Sequence, residues 1–185
     1  MFENITASLQ TFGISAQEQL AEIFSRLQPL NFAKDDFLVK EGQVSHTFYF
    51  LNKGAFRHYT ITDSGEEFTI NLFIQSDWML EYQSFMTQQP SQNFIQAVMN
   101  SEVLALSAWQ FNELVKISDC FFRLGGILQT KNQDFQHNRL SPEEKYELLL
   151  NTRPELLHYF PLKHIASYMG ITPETLSRIR KKISS

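Results

Sequence analysis

Hydrophobic positions change their period twice along this chain. Over residues 15–27 the apolar side chains Leu20, Ile23, Phe24 and Leu27 fall at the spacing of one buried helical face, which predicts a short helical lead. From residue 30 to 107 the texture becomes strand-like, with aromatic and β-branched runs such as Thr47-Phe48-Tyr49-Phe50-Leu51 and Phe68-Thr69-Ile70-Asn71-Leu72-Phe73-Ile74. Alternation is clearest over 55–61 and 94–106, where Ile95, Ala97, Val98, Val103 and Leu104 are interspersed with polar residues. Turn chemistry separates the runs at Glu41-Gly42, Asn52-Lys53-Gly54 and Asp63-Ser64-Gly65-Glu66. The last is a good hairpin tip, because glycine accepts positive φ and aspartate tolerates the turn. Many short strands, spaced by about ten residues, indicate a compact sandwich or roll.

After Trp109 the helical period returns. Phe121, Leu124, Leu128 and Phe135 share one stripe within residues 119–138, with Gly125-Gly126 beside it. Two glycines inside a helix cost about 1 kcal/mol each against alanine, which calls for a second backbone approaching there. The segment is therefore read as a dimerisation helix, against the alternative of a helix packed only on its own domain. Ser141-Pro142-Glu143-Glu144 opens a further helix, with serine as cap, proline at the first helical position and glutamate three residues after the cap. Thr152-Arg153-Pro154-Glu155 closes it and starts a short one, since proline disfavours helical backbone in the residue before it. The fold class expected is α+β: a β-roll with flanking helices over 1–118, a dimerisation helix over 119–139, and an all-α helix-turn-helix domain over 140–185.

Residues 162–183 carry the most information. Ile165, Ala166 and Met169 lie on one face of a first helix, Gly170 ends it where left-handed backbone is wanted, and Ile171 turns inward. Thr172 caps a second helix with Pro173 at its first position, and Leu176, Ile179 and Ile183 form its inner face. Ala166 has reason to be small, because a bulky side chain would push the helices apart where they cross. The outward face of the second helix presents Thr172, Pro173, Glu174, Thr175, Ser177, Arg178, Lys181 and Lys182. Early polar residues suited to base edges and later cations suited to phosphates are what a helix entering a major groove needs. The competing reading is a solvated helical hairpin with a charged face.

Charge sharpens this picture. From Pro161 onward five cations stand against one anion, Glu174, whereas the rest of the chain has 11 cations and 19 anions, within an overall −4. A basic tip on an acidic body suits a protein that touches phosphates with one small surface. The single cysteine, Cys120, excludes an intrachain disulfide and a cysteine-built cluster, and is read as a small buried apolar residue. The N-terminal stretch lacks signal-peptide character and no run is long enough to span a membrane, so a cytoplasmic location is expected. His46, His58, His137, His158 and His164 have no metal-ligand spacing and are read as surface or hydrogen-bonded histidines; no metal site is expected.

The run Ile165-Ala166-Ser167-Tyr168-Met169-Gly170-Ile171-Thr172-Pro173-Glu174-Thr175-Leu176-Ser177-Arg178-Ile179 closely resembles the motif of the Crp/Fnr transcription regulators. Lys40-Glu41-Gly42, Leu51-Asn52-Lys53-Gly54, Asp63-Ser64-Gly65-Glu66 and Ser76-Asp77-Trp78 resemble the successive turns of that family's cyclic-nucleotide-binding roll. The resemblance implies a homodimer that reads a two-fold-symmetric operator in double-stranded DNA, with RNA polymerase as a further partner, and no enzyme activity. It places Glu174 and Arg178 at the family's principal base-reading positions and Pro173 where many members have another base contact, so specificity should differ. Many members also carry a β-wing after the second helix; this chain stops at Ser185, and wing contacts are not expected. The family's phosphate-binding cassette has a glycine and glutamate, then an arginine and a serine or threonine. Here the effector pocket would comprise Leu80, Glu81, Tyr82, Gln92 and Asn93, with Glu81 keeping the glutamate, Leu80 in place of the glycine and Gln92 in place of the arginine. Without that cation a cyclic phosphate loses its charge-assisted partner, so no cyclic-nucleotide cofactor is expected, and the roll serves another small effector or none. Two other classes stay open: a cupin-like enzyme on the roll, and a ligand-binding or interaction module without DNA activity.

Overall fold

The computed structural model describes residues 2–121 and 140–183. Helices α1 (Glu3–Thr11) and α2 (Gln17–Phe24) lead into strands β1 (Gln28–Phe32), β2 (Phe37–Val39), β3 (Thr47–Lys53), β4 (Ala55–Ile61), β5 (Glu67–Ile74) and β6 (Trp78–Met79). Helix α3 (Tyr82–Thr87), strands β7 (Asn93–Ala97) and β8 (Ser101–Ser107) and helix α4 (Ala108–Ile117) follow. Beyond residue 140 come α5 (Pro142–Thr152), α6 (Leu156–Tyr159), α7 (Leu162–Met169) and α8 (Pro173–Ile183). The strands form two four-stranded antiparallel sheets, ordered β1-β8-β3-β6 and β2-β7-β4-β5. This is the expected α+β class, with an antiparallel roll followed by C-terminal helices.

Three apolar layers explain why the strands read as near-continuous hydrophobic runs. Between the sheets, Leu51, Phe56, Phe73, Met79 and Ile95 fill the roll. On the far side of the first sheet, Phe48, Phe50 and Leu104 meet Ile5 and Leu9 of α1 and Leu114 of α4. On the outside of the second sheet, Ala55 and Leu72 meet Tyr146, Leu149, Leu156, Ile165 and Ala166 of the C-terminal helices. Both faces of each sheet are thus buried, and strict alternation survives only in part.

Backbone chemistry fixes the corners. The β4–β5 hairpin turns at Gly65, whose φ of 81° needs no Cβ to be strained, and Thr62 and Glu66 close it through a 2.8 Å backbone bond. At Gly54 a Cβ would lie 2.1 Å from the Ser101 Oγ, and that hydroxyl is already engaged with the Ala55 N–H and the Met99 carbonyl.

The C-terminal helices also solve an edge problem. Strand β5 is last in its sheet, and an open edge is a template for unwanted strand pairing. Helix α7 lies against it: the Thr69 N–H donates to the Ser167 hydroxyl at 2.8 Å, and Arg153, just past α5, pairs with Asp77 just past β5. Buried Arg57 on β4 supports the same side, donating to the Thr69 hydroxyl and pairing with Glu67.

Four expectations need correction or completion. Helix α1 was not anticipated, although Ile5 and Leu9 are fully buried one turn apart. Phe121, read as the first residue of a pairing stripe, is covered by its own chain in the layer around Trp78 and Leu114; Leu124, Gly125, Leu128 and Phe135 lie outside the described residues. Ile183, expected on an inner face, is 43% exposed because α8 runs past the apolar layer. His58 is neither on the surface nor satisfied: it is buried on the inward side of β4 beside Phe73, and its Nε2 has no hydrogen-bond partner.

Burial pushes the His58 pKa down to about 4, so the folded state holds this imidazole neutral while the unfolded chain takes up a proton below about pH 6.5. Stability is therefore fully present above that range and falls as the pH is lowered toward 4. Between pH 7 and 4.5 the wild type should lose on the order of 2–3 kcal/mol more than His58→Leu, measured by denaturant unfolding. Equal losses in the two proteins would contradict this.

Candidate nucleic-acid interface

The arrangement of α7 and α8 follows from their sequence. In α7, Ile165, Ala166, Tyr168 and Met169 are buried, and in α8, Leu176 and Ile179 are buried against them. Ala166 is fully enclosed in this layer, which leaves no room for a larger side chain. Gly170 ends α7 with a left-handed φ of 68°, and the Ile171 N–H returns to the Ala166 carbonyl at 3.0 Å, so the chain reverses while its carbonyls stay satisfied. Lys145 of α5 adds a bond to the Met169 carbonyl. Thr172 caps α8 by accepting the Thr175 N–H at 3.2 Å, and Pro173 occupies the position whose missing N–H costs nothing.

With the apolar side committed inward, the opposite side of α8 faces solvent. Thr172, Pro173, Glu174, Ser177, Arg178, Lys181 and Lys182 are exposed, and Thr175 is half-buried. Arg180 is half-buried and Arg178 projects outward, where its guanidinium donates to the Thr175 hydroxyl at 3.3 Å. The Glu174 carboxyl is held below the ordinary glutamate value by its own backbone N–H and then by the Thr172 hydroxyl, so it stays ionised. The outer face thus offers one anion, hydroxyls and cations in a row. His164, on α7 beside Arg57, has its pKa lowered to about 4, first by burial and then by Arg57 and Lys163.

The expected effector pocket divides. Glu81 and Gln92 line a cleft of about 180 Å³ with Gln83, Ser84, Thr87, Gln89, Pro90 and Ser91. Leu80, just past β6, and Tyr82, at the start of α3, instead pack into the apolar layer shared with α1. Asn93 reaches the cleft only through Glu81, to which its amide donates at 2.9 Å. The other Glu81 oxygen caps α3 by accepting the Ser84 N–H at 2.7 Å, and the Ser84 hydroxyl in turn accepts from the Ser45 N–H and donates to the Gln89 carbonyl. The buried carboxylate is spent on the loop itself, and among the described residues no cation lines the cleft. Ser84 was missed as part of this network; its signal was the Glu-x-x-Ser spacing, which puts a capping carboxylate three residues ahead of it.

Residues 29–118 match the model of the family described as the cyclic nucleotide-binding domain. No curated protein sequence matches the chain. Among solved structures, the chain is similar to the catabolite activator protein of Thermus thermophilus, at 20% identity over 91% of this chain and 84% of that one, with a TM-score of 0.57. FixK2 from Bradyrhizobium japonicum aligns at 16% identity over 85% of this chain and 84% of its own, with a TM-score of 0.63. A transcriptional regulator of the Crp/Fnr family from Eubacterium rectale aligns at 15% identity over 91% and 83%, with a TM-score of 0.61. The chain has the fold of the Crp/Fnr regulators. In that Crp/Fnr fold the matched domain covers every strand from β1 to β8 and ends with α4, and α5 to α8 lie beyond it. Among the described residues no helix is long and apolar enough to cross a membrane, and no group of His, Cys, Asp and Glu is placed to hold a metal ion.

The role of Glu81 as an internal cap is testable without any ligand. Glu81→Ala removes a charged acceptor from both the Ser84 N–H and the Asn93 amide and should lower unfolding free energy by about 2 kcal/mol. A variant as stable as the wild type in urea would show that these bonds do not hold the cleft together.

Proposed function

We propose that this chain is a sequence-specific transcription regulator that binds double-stranded DNA through the exposed face of α8. The observation that carries this is the division of that helix. Leu176 and Ile179 are buried, while Glu174, Ser177, Arg178, Lys181 and Lys182 stand together on the solvent side of an otherwise acidic protein. α7 and α8, joined by a tight turn at Gly170, serve as a helix-turn-helix, with α8 as the recognition helix. Arg178 is placed to donate two parallel bonds to guanine, Glu174 accepts from a cytosine amine, and Thr172, Thr175, Ser177, Lys181 and Lys182 contact the backbone or base edges.

The resemblance supports the rest of the reading. Residues 1–118 form the sensor, 119–139 the dimerisation helix and 140–185 the DNA-binding domain of a cytoplasmic homodimer that is not an enzyme. Two copies of α8 about 34 Å apart would read half-sites one turn apart. The roll does not use cyclic AMP: among the described residues the only charge lining the cleft is the Glu81 carboxylate, and a phosphate there would meet an anion with no described cation to offset it. A small effector of another kind, or direct contact with RNA polymerase, then supplies the regulation.

Selection from random duplexes should enrich a two-fold-symmetric site. Arg178→Ala should weaken binding to that site by about 5- to 150-fold, the range of one lost bidentate base contact, and relax preference at a single position in each half-site. A mutant with the wild-type footprint and affinity would refute the assignment. Titration with cyclic AMP in a calorimeter should show no micromolar binding, and binding at that level would overturn the reading of the cleft.

A further inference from the structure

The C-terminal helices are tied to the roll at two separate points, and both ties sit on backbone that is itself fixed. At the first, the Thr69 N–H on edge strand β5 donates to the Ser167 hydroxyl of α7 at 2.8 Å, across 98 positions of sequence. Thr69 is buried, and its own hydroxyl accepts from the Arg57 guanidinium at 3.0 Å. At the second, the Arg153 guanidinium pairs with the Asp77 carboxylate. That carboxylate also accepts the Ile74 N–H, and the Asp77 N–H returns to the Ile74 carbonyl, so the anion is held to the end of β5. Arg153 is held to α5 through its N–H bond to the Leu149 carbonyl.

Two anchors resist a motion that one would allow. Thr69 and Ile74 are five steps apart on β5, about 16 Å at the rise of a strand. A body joined at one point pivots there, whereas joints this far apart hold its angle as well. Beside them lies the apolar layer of Leu72, Ile165 and Ala166, into which α8 is packed through Leu176 and Ile179. The orientation of α8 is therefore set by the roll of its own chain.

Adding one base pair between half-sites moves the second by about 3.4 Å along the duplex and turns it by about 34°, since a turn of about 34 Å holds about ten pairs. A loosely tethered helix follows such a change; a clamped one must part its anchors. We propose that Arg153 and Ser167 are positioning residues, which with Asp77 and Thr69 clamp the recognition helix to the roll of its own chain, so that the dimer accepts one half-site spacing and rejects sites one base pair longer or shorter. The proposal rests on the dimeric DNA-binding reading and adds the source of its spacing specificity. None of the four residues belongs to α8, so all of them act through its orientation.

The test uses the full chain, the two-fold site that the wild type enriches from random duplexes, and copies of that site with one base pair added or removed at the centre. The readout is the ratio of affinities for the enriched and the altered sites. Arg153→Met keeps an apolar stem and removes the charge; it should lower that ratio by about five- to tenfold, the scale of one partly exposed charged bond. Ser167→Ala should lower it in the same direction, and Arg153→Lys should retain more of it than Arg153→Met. Asp77→Asn keeps an acceptor for the Ile74 N–H and gives the same reading from the other side of the pair if Arg153→Met fails to fold. Base preference within each half-site should stay as in wild type. An unchanged ratio, including one in which every affinity falls equally, would overturn the proposal, and so would a wild type that accepts all three spacings. A wild type that enriches no two-fold site fails the DNA-binding reading instead. The clamp is then judged by NMR relaxation of the free protein. Residues 140–183 must tumble with the roll in wild type and more independently in the Arg153→Met/Ser167→Ala double variant, and equal behaviour in the two proteins overturns it.

Discussion

The burial of α7 against the outer side of β4 and β5 is the contact on which the rest of this molecule depends. It covers an edge strand that would otherwise be open, through the Ser167 to Thr69 bond and the apolar layer of Leu72, Ile165 and Ala166. By occupying the inner faces of α7 and α8 it also decides what remains outside. A helix whose Leu176 and Ile179 are committed to that layer has no choice but to turn Glu174, Ser177 and Arg178 to solvent. Packing in the C-terminal half and chemistry on its surface are therefore two sides of one geometric fact.

The same contact joins the roll to the helices physically. Arg57 lies at its centre, buried, paired with Glu67, bonded to Thr69 and stacked over Tyr59, with His164 of α7 held neutral nearby. An uncompensated charge at such a place is costly, so this cluster ties the position of α7 to the conformation of β4 and β5. The cleft near Glu81 lies on the other strand connection of the roll, and its polar groups satisfy one another. The roll thus matches the cyclic nucleotide-binding domain in outline, and the Glu81 carboxylate within it holds the loop through Ser84 and Asn93.

Much of this was legible in the sequence because local signals agreed with one another. Gly65, Gly170, Ser141 and Thr172 each demanded a turn or cap that the structure contains, and the apolar spacing of 162–179 placed the inner faces of two helices. What was not legible depended on tertiary context. The resemblance puts Leu80 and Tyr82 in a pocket, but the connection from β6 into α3 turns both toward the apolar layer shared with α1. His58 looks like any polar strand residue until the second sheet closes over it. Phe121 reads as part of a pairing face because helical spacing reports that a face is buried without saying by what. Helix α1 was missed since nine residues with two buried apolar positions carry too weak a period to stand out.

The central claim is that the outward face of α8 meets nucleic-acid phosphates and bases. The most direct measurement is the salt dependence of duplex binding by the whole chain. If the claim holds, the logarithm of affinity falls linearly with the logarithm of salt concentration, with a slope of about −0.9 for every phosphate neutralised, and the slope becomes shallower when Lys181 and Lys182 are replaced by glutamine. Binding that is absent at low salt, or indifferent to salt, would contradict it.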